Sequence, residues 1–454
     1  MFSINDILTA TRGKLLQGKK NQTIQNISTD SRTIKPGDLF IAIKGDSFDG
    51  HKFLSQVVKK KAGAVIVEKR FFFASPKIPV VLVENSIQAL GRIAHYHRRR
   101  FKIPVIAVTG SAGKTTTKDM IVEVLKSRRR VLFNEGTQNN HIGVPMTILK
   151  LKKTHQVAVI ECGTNQPGDI SWLAEVLRPT AVVFTNIGES HLERLRNLKG
   201  VFEEKRLLVK YLDDRGVIIF NQDDPWLNKL SRYKKGPRKI SFSIMQNCDY
   251  QARNIQRGKN FAFNFVVNGQ NFRLKALGLE NVSNALAAIA CGRLLKISYN
   301  DIARALKNFQ CPDGRQQCSR VKEVFIVHDA YNANPVSVRS AVNALNGFTN
   351  IGKRIFICAD MLELGAKARM FHDQVGQLIA QSQIEVLFTF GDLSRRISIE
   401  AQKKRRDIIA EHFESLEKLN ASVREIVEPR DIVWVKGSRR MKMGLVVEFL
   451  KKSL

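Results

Sequence analysis

The sequence contains few cysteines, no long apolar run and far fewer acidic than basic residues. Its six cysteines are scattered over 454 residues and include no C-x-x-C pair, which favours reduced thiols over a disulfide framework or a zinc site. No apolar run approaches the length of a membrane-spanning helix. Asp6 stands where a signal peptide carries basic residues, and Ser3 with Asp6 is typical of a helix capping box. We therefore expect a cytoplasmic protein without a transmembrane segment.

The shortage of acidic residues leaves a large positive charge. There are 74 Lys and Arg residues against 41 Asp and Glu, a net charge of +33, with basic clusters at 59–61, 98–100, 128–130 and 403–406. Such charge attracts nucleotides, nucleic acid or an anionic membrane surface. However, no basic motif interleaved with aromatic residues is present, as a nucleic-acid-binding module would have. We interpret the clusters as solvated faces and expect no specific nucleic-acid partner.

The pattern along the chain predicts the α/β fold class with three domains. Residues 1–100 contain short strands at 39–43 and 64–67 and a helix-like stretch at 87–100, which indicates a small α/β domain. Residues 101–312 alternate strands (105–109, 157–160, 181–185, 216–220) with helices, followed by a β-rich patch at 261–267 and a helix at 281–295. This predicts a central, mostly parallel sheet of the P-loop type, flanked by helices. Residues 313–454 repeat the alternation at 324–327, 354–358, 386–390 and 431–435, as in a Rossmann-like α/β domain.

The most informative stretch is a glycine-rich turn between the strand at 105–109 and a helix. It reads Gly110-Ser111-Ala112-Gly113-Lys114-Thr115-Thr116. Glycines allow several N–H groups to point at one phosphate, and the helix N-terminus adds its positive dipole end. Lys114 supplies a charge, and the Thr115 hydroxyl is a ligand for Mg²⁺. The glycines are closer together than in the common P-loop, but the strand-to-helix position favours nucleotide binding over a solvated turn.

Two metal-ligand candidates follow strands of the same series. Glu161 comes directly after the strand at 157–160, and His191 follows the strand at 181–185. Open α/β sheets bind ligands at the carboxyl ends of their strands. Either residue alone is more often structural, but two such residues beside a phosphate turn predict a metal role.

Several segments resemble those of the Mur ligase family over essentially the whole chain. The N-terminal ones are residues 28–32, 36–40 and 44–51, and residues 139–145 resemble the loop that meets the muramoyl substrate. The most diagnostic are Tyr331-Asn332-Ala333-Asn334-Pro335, Asp360-Met361-Leu362-Glu363-Leu364-Gly365 and Val435-Lys436-Gly437-Ser438. These resemble the branch that adds D-alanyl-D-alanine, since the Asp-Asn-Pro-Arg signature of the sister branch is missing.

The resemblance implies an ATP-dependent ligase of peptidoglycan precursor synthesis. It would join D-alanyl-D-alanine to UDP-N-acetylmuramoyl-tripeptide through an acyl phosphate, with ATP and two Mg²⁺ ions as cofactors, and we expect a monomer. The first domain would bind the UDP-sugar, the second ATP, and the third the dipeptide and part of the nucleotide. A sister Mur ligase or a folylpolyglutamate-type ligase with another amine substrate remains open, as does a basic P-loop ATPase that binds nucleic acid.

The resemblance also implies roles for individual residues. Catalytic roles fall to Lys114, His191 and Lys205, the last as a carbamylated lysine, and metal binding to Thr115, Glu161, His191 and Lys205. Nucleotide contacts fall to residues 110–116 and to Asn281, Asn284, Arg315 and Asp329. Substrate binding is assigned to Ser31, Arg32, Lys44, Gly45, Asp49, His51, Asn139, Asn140, Tyr331 and Asn334.

Two of these assignments have plainer alternatives, and several positions depart from the family pattern, among them Glu280 and His328. Lys205 is otherwise a surface lysine on a charged helix, and Asn281 with Asn284 would otherwise cap a helix. Glu280 stands where family members usually have His, and His328 stands where they usually have an acid.

Overall fold

A computed structural model gives the structure of residues 2–45, 48–68, 78–213, 215–232, 236–258, 261–349 and 351–454. The chain separates into two compact units. The first comprises Met1–Val105, Arg130–Gly163 and Ser171–Pro179, and the second comprises Ile106–Arg129, Thr164–Ile170 and Thr180–Leu454. The three-domain division at residues 100 and 312 stays a prediction. Asp46 and Ser47, inside the motif at 44–51, lie outside the described residues.

The helices and strands are numbered here in chain order. Those before residue 215 are β1 (Phe2–Ser3), α1 (Ile4–Thr11), β2 (Lys14–Gln17), β3 (Thr23–Ile24), β4 (Ile27–Ser28), β5 (Leu39–Ile41), α2 (Leu54–Lys59), β6 (Ala64–Val67), β7 (Val80–Leu82), α3 (Ser86–Arg98), β8 (Val105–Thr109), α4 (Lys114–Lys126), β9 (Val131–Phe133), α5 (Gly143–Ile148), β10 (Val157–Glu161), α6 (Asp169–Leu177), β11 (Ala181–Phe184), α7 (Leu192–Leu195) and α8 (Leu198–Lys210).

The later elements are β12 (Val217–Asn221), β13 (Arg238–Ser243), β14 (Tyr250–Gln251), β15 (Arg253–Arg257), β16 (Ala262–Val267), β17 (Gln270–Lys275), α9 (Glu280–Leu294), α10 (Tyr299–Asn308), β18 (Gln317–Val321), β19 (Val324–Asp329), α11 (Pro335–Asn346), β20 (Arg354–Ala359), α12 (Ala368–Ala380), β21 (Val386–Phe390), α13 (Arg395–Lys404), β22 (Ile409–Phe413), α14 (Leu416–Ile426), β23 (Ile432–Lys436) and α15 (Gly444–Ser453). Short 3-10 turns cover Gly50–Phe53, Leu227–Arg232, Gly365–Lys367 and Arg439–Met441.

The first unit contains a five-stranded sheet with apolar packing on both faces. Its order is β2-β7-β6-β5-β4, with β2 antiparallel to β7 and the other neighbours parallel. Leu39 and Ile41 of β5 pack with residues of α1 and α3, whereas Phe40 packs with Leu54 and Val57 of α2. This alternation follows from the two-residue period of a strand, and it covers both faces as a parallel sheet requires. In the same unit β9 and β10 pair in parallel.

The second unit contains three groups of paired strands. Five parallel strands pair in the order β14-β13-β12-β11-β8, and α4 packs against α9 beside them. Strands β15, β16 and β17 form an antiparallel meander. The third sheet has the order β18-β19-β23-β20-β21-β22, in which β18 is antiparallel to β19 and the other neighbours are parallel.

The predicted α/β fold class is confirmed, as is the capping box of α1, in which Ser3 and Asp6 exchange backbone-to-side-chain hydrogen bonds. The sequence predicts none of β14, β18 and β22. Each of these strands lies at the edge of its sheet, where one side of the strand lacks a neighbour and polar residues are common. A strand of that kind lacks the continuous apolar run that indicates a buried parallel strand.

Two expectations about composition can be compared with the described residues. No helix among them is both long and apolar enough to cross a membrane. The six cysteines, all within the described ranges, form no disulfide, and burial raises the pKa of Cys248 to about 11.

Candidate active site

The predicted phosphate turn joins β8 to α4, and α4 begins at Lys114. Gly110 and Gly113 have positive φ angles of 156° and 76°. A Cβ atom on Gly110 would lie 1.9 Å from Thr185 Oγ1, and one on Gly113 would lie 2.7 Å from Asn284 Oδ1. Both the backbone conformation and the available space therefore require glycine at these two positions.

Asn186, two residues after β11, holds the turn in shape. Its Oδ1 accepts a hydrogen bond from Ala112 N–H at 2.8 Å, and its Nδ2 donates to Ala112 O at 3.1 Å. Its backbone carbonyl accepts from Ser111 N–H at 3.0 Å, and Thr185 Oγ1 donates to Ala112 O at 2.6 Å. The amides of Ser111 and Ala112 are therefore both engaged within the protein.

Asn186 and Thr185 were not predicted from the sequence. Their signal was their place just beyond the carboxyl end of a buried strand, the position that already drew attention to Glu161 and His191.

Ser111 links the turn to two other predicted segments. Its Oγ donates to Gly188 O at 2.8 Å and accepts from Gly188 N–H at 2.9 Å, while Ser190 Oγ donates to Ser111 Oγ at 3.1 Å. Asn334, the N-cap residue of α11, donates from Nδ2 to Ser111 O at 3.4 Å. The motif at 331–335 therefore contacts the phosphate turn, although the two residues are 223 positions apart.

The three diagnostic C-terminal motifs start at the carboxyl ends of neighbouring strands. The motif at 331–335 follows β19, the motif at 360–365 follows β20, and the motif at 435–438 begins in β23, which lies between the other two. Parallel strands bring their carboxyl ends to one edge, so three segments distant in sequence form one surface.

Lys114 and the two threonines after it have the chemistry that a phosphate and a cation need. Lys114 Nζ donates to Gly110 O at 3.0 Å, so the ammonium lies over the turn. Thr115 and Thr116 are 5% and 6% exposed, in the first turn of α4.

His191 immediately precedes α7 and adopts a left-handed conformation with φ of 53°. Its Nδ1 lies 2.7 Å from Glu363 Oε2. The nearby His191 imidazole lowers the pKa of the Glu363 carboxyl, and the positive charges of Arg440 and Arg194 act in the same direction. Glu363, which the sequence indicates only as part of a motif, is therefore in contact with a predicted catalytic residue.

A small cavity of about 90 Å³ lies beside His191. Its lining includes Ser190, Asn334, Glu363 and Ser438. Residues from the end of β11 and from all three diagnostic motifs thus meet around one space.

Asn284 and Asn281 belong to a chain of side-chain hydrogen bonds. Thr117 Oγ1 donates to Asn284 Oδ1 at 2.9 Å, Asn284 Nδ2 donates to Asn281 Oδ1 at 3.1 Å, and Asn281 Nδ2 donates to Gln316 Oε1 at 2.8 Å. Gln316 Nε2 then donates to Glu280 Oε1 at 2.6 Å. Burial raises the pKa of Glu280, against the opposing effect of that hydrogen bond.

The alternative that the two asparagines cap a helix is wrong. The N-cap residue of α9 is Leu279, and no side chain caps that end of the helix. The asparagines instead connect α4 with residue 316, next to the predicted nucleotide contact Arg315.

Arg315 contacts the diagnostic Tyr331, and Asp329 lies two residues before Tyr331 in the chain. The Arg315 guanidinium carbon is 3.9 Å from the centroid of the Tyr331 ring, a cation–π contact. Asp329 is buried, and its Oδ2 accepts hydrogen bonds from Lys436 Nζ at 2.8 Å and Trp434 Nε1 at 3.2 Å. Asp329 therefore bonds β19 to β23 as well as being a predicted nucleotide contact.

The departure at residue 328 also has a partner. His328, partly buried in β19, places Nδ1 3.2 Å from Asp313 Oδ1. His328 is therefore a histidine at the edge of the core.

Lys205 lies in α8 and is 1% exposed. The alternative of a surface lysine is therefore wrong. Its neighbour Glu204 accepts hydrogen bonds from the backbone N–H groups of Gly168 and Ile170 at 2.9 and 2.8 Å, which tie the start of α6 to α8.

In the first unit Glu161 ends β10 and is 2% exposed. Its Oε1 accepts a hydrogen bond from Asn139 Nδ2 at 2.7 Å, so these two predicted site residues are in direct contact. Asn140 has a local structural role, because its Oδ1 accepts from the N–H groups of Ile142 and Gly143 at the start of α5.

Asp49 and His51 contact each other through their side chains. Both are predicted substrate-binding residues of the first unit. His51 Nδ1 lies 2.6 Å from Asp49 Oδ1, and His51 Nε2 accepts the Glu68 N–H at 3.0 Å. Since Nε2 is an acceptor, Nδ1 carries the proton and donates it to the carboxylate. With 3% exposure, His51 organises the local backbone.

The remaining predicted substrate residues of this unit are mostly exposed. Arg32 pairs with Asp30 at 2.7 Å, which lowers the pKa of Asp30 to about 2. Lys44 and Gly45 are exposed, whereas Ser31 is buried.

No protein-only metal centre is present among the described residues, because no group of three or more His, Cys, Asp or Glu side chains converges there. Thr115 and Glu161 offer the oxygen ligands that Mg²⁺ prefers, whereas a His nitrogen is a poorer ligand for it.

The geometry of the turn predicts different effects of alanine at two glycine positions. Gly110→Ala should weaken binding of a fluorescent ATP analogue by at least about tenfold, roughly 1.4 kcal/mol, because the new methyl group collides with Thr185, which is 4% exposed. Gly269→Ala is the control, since Gly269 also has positive φ but no atom within 4 Å of its Cβ position. Equal nucleotide affinity of Gly110→Ala and the unmodified protein would show that the turn does not bind phosphate.

Family models match three successive parts of the chain. Residues 23–98 match the Mur ligase family catalytic domain, residues 108–292 the Mur ligase middle domain, and residues 314–439 the Mur ligase glutamate ligase domain.

Individual relatives match over nearly their whole length. UDP-N-acetylmuramoyl-tripeptide–D-alanyl-D-alanine ligase of Bacillus subtilis is 33% identical, covering 99% of this chain and 98% of the relative. The Escherichia coli enzyme of the same name is also 33% identical, covering 100% and 98%. Among solved structures, MurF from Acinetobacter baumannii has a TM-score of 0.92 at 29% identity, with 99% of each chain covered. MurF from Thermotoga maritima in complex with ADP has a TM-score of 0.85 at 26% identity, covering 96% and 99%. From the motifs, the geometry and these matches together, the chain belongs to the Mur ligase family.

Proposed function

We propose that this protein is an ATP-dependent ligase that joins D-alanyl-D-alanine to UDP-N-acetylmuramoyl-tripeptide in peptidoglycan precursor synthesis. The similarity over the full length to enzymes of that name supports the assignment. The contact that carries it is the one between Asn334 and Ser111, because it brings a motif diagnostic of the D-alanyl-D-alanine branch onto the phosphate turn.

The reaction has to make a carboxylate reactive. The terminal carboxylate of the tripeptide attacks the γ-phosphorus of ATP, which gives an acyl phosphate and releases ADP. The amine of D-alanyl-D-alanine then attacks the acyl carbon, the new amide bond forms, and phosphate leaves with the loss of a proton from the amine. Water must be kept from the acyl phosphate, since it would hydrolyse it.

The residues of the turn hold the triphosphate during the first step. Lys114 neutralises charge that develops on the transferring phosphoryl group, and the amides from Gly113 onward donate to its oxygens. Asn186 and Ser190 keep the turn rigid, so that these donors are oriented before ATP binds. The chain of hydrogen bonds from Thr117 to Gln316 places Asn281 and Asn284 for the predicted nucleotide contacts.

We further propose that Mg²⁺ is held by Thr115 and Glu161, with His191 and Lys205 at a second ion. When bound, Mg²⁺ supplies positive charge that neutralises the phosphate oxygens. The buried Lys205 fits this role only after carbamylation, in which its neutral amine adds CO2 and becomes an anion that can bind a cation. The monomeric state and the cytoplasmic location stay predictions.

The assignment predicts which amine completes the reaction. With UDP-N-acetylmuramoyl-tripeptide, ATP and Mg²⁺, D-alanyl-D-alanine should give stoichiometric ADP, phosphate and amide product, measured by coupled ADP release and mass spectrometry. Diaminopimelate, lysine and glutamate are the controls for sister and folylpolyglutamate-type ligases. Turnover with one of these amines in place of D-alanyl-D-alanine would contradict the proposed substrate. ATP hydrolysis stimulated by DNA, with a steep loss of binding in salt, would contradict the reaction class.

The proposed roles of Lys114 and Glu161 predict that alanine at either position lowers turnover strongly. Lys114→Ala and Glu161→Ala should each lower turnover by about a hundredfold or more, through loss of a few kcal/mol of transition-state stabilisation. Lys126→Ala is the control, since Lys126 lies at the far end of the same helix and its side chain is 44% exposed. A near-normal rate in either test variant would remove that residue from the mechanism.

The carbamate predicts a dependence on CO2. Removal of CO2 should lower activity, added bicarbonate should restore it, and short carboxylic acids should partly rescue Lys205→Ala. A ¹³C signal from labelled CO2 should be present in the unmodified protein and in the control Lys210→Ala, which alters an exposed lysine of the same helix. Absence of both the signal and the rescue would leave Lys205 as an ordinary buried lysine.

A further inference from the structure

The loop that carries Glu363 is held at its start by three side chains. Asp360 Oδ1 accepts hydrogen bonds from the N–H groups of Leu393 and Ser394 at 3.1 and 2.7 Å. Ser438 Oγ donates to Asp360 O at 2.8 Å and accepts the Leu362 N–H at 3.1 Å. These contacts fix the backbone on both sides of residue 361.

His372 supplies the third contact. It is fully buried, its Nδ1 lies 2.7 Å from Ala368 O, and its Nε2 accepts the Met361 N–H at 3.1 Å. Nδ1 therefore carries the proton and donates it to the carbonyl. Residues 360–362 thus have a single backbone conformation defined by buried partners.

The end of the loop is docked against the turn that contains His191. Glu363 and Gly365 both have left-handed backbones, with φ of 65° and 60°. The Glu363 carbonyl accepts the Glu193 N–H at 3.3 Å, and a Cβ atom on Gly365 would lie 3.1 Å from Glu193 Cα. A left-handed conformation is costly for a glutamate, so the surrounding contacts hold Glu363 in a position it would not adopt alone.

At that position the Glu363 carboxylate meets the imidazole of His191, with 2.7 Å between Oε2 and Nδ1. A proton on Nδ1 is favoured there, because an ionised carboxylate repels a nitrogen lone pair at that distance and can only accept a hydrogen bond. In a neutral ring the lone pair is then on Nε2. The alternative tautomer would make Nε2 a donor, which suits a phosphate oxygen but not a cation.

We propose that Glu363 is a positioning residue that holds His191 in the Nδ1–H tautomer, with the Nε2 lone pair available to a metal ion at the phosphates. Carboxylates that accept the second ring N–H are the usual partners of metal-binding histidines, because they fix both tautomer and ring orientation. Glu363 thereby connects the motif at 360–365 to the chemistry, and Asp360, His372 and Ser438 hold its loop. The consequence for turnover rests on the proposed function, whereas the tautomer does not.

The tautomer can be read directly by ¹⁵N NMR of protein labelled at its nine histidines, without nucleotide or metal and at a pH where the imidazoles are neutral. The His191 signals are assigned by their loss in His191→Gln. We expect protonated Nδ1 and unprotonated Nε2 in the unmodified protein, and a mixture rich in Nε2–H, as in free imidazole, in Glu363→Ala. Glu193→Gln is the matched control, because this exposed glutamate lies on the same turn and bonds Glu363 through its backbone N–H, which the substitution keeps; it should leave the tautomer unchanged.

Turnover and metal binding give the second readout. Glu363→Ala should lower kcat and weaken Mn²⁺ binding, followed by electron paramagnetic resonance in the presence of ADP, by about 10- to 100-fold each. The KM for D-alanyl-D-alanine should change by less than about threefold, since an effect confined to His191 leaves uniform substrate binding intact. Glu193→Gln should match the unmodified protein in all three measurements.

Three results would overturn the proposal: an Nε2–H tautomer of His191 in the unmodified protein, the same tautomer with and without Glu363, or unchanged Mn²⁺ binding in Glu363→Ala. Failure of the proposed function is distinguishable, because an unmodified protein that does not release ADP with its proposed substrates would still give the tautomer result.

Discussion

The site depends on a turn that is made rigid before any phosphate arrives. Asn186 uses its side-chain amide and its backbone carbonyl to hold Ser111 and Ala112, and Ser190 completes the contacts through Ser111. A turn that had to become ordered on binding would lose part of the binding free energy to conformational entropy. The end of β11 therefore decides the shape of a loop that follows β8, its neighbour in the sheet.

The sheet order brings the three C-terminal motifs together. They follow three strands that are neighbours in the sheet, although the first and last motifs are about a hundred residues apart in sequence. The buried pair of Asp329 and Lys436 joins two of those strand ends. Asn334 reaches the phosphate turn from the first motif, and Glu363 reaches His191 from the second. Each of these contacts is made by a single side chain.

The position of Glu280 shows how a departure from the family pattern is accommodated. The Glu280 side chain accepts a hydrogen bond from Gln316 Nε2, and Gln316 Oε1 in turn accepts one from Asn281. A carboxyl whose pKa is raised by burial is satisfied by that amide, so the departure leaves the chain of hydrogen bonds to Asn284 and Thr117 intact.

The sequence by itself determined the fold class and most of the candidate site, because these depend on local patterns. Apolar runs of strand length, glycines before Lys114 and polar residues at strand ends are visible without coordinates. The edge strands β14, β18 and β22 were missed because their pattern is short and polar. Only the tertiary structure decided that Lys205 is buried, that Asn281 and Asn284 bond across helices rather than cap one, and that Asn186 and Glu363 hold the turn and His191. Those facts depend on contacts between side chains that are distant in sequence, and the spacing of residues along the chain does not specify such contacts.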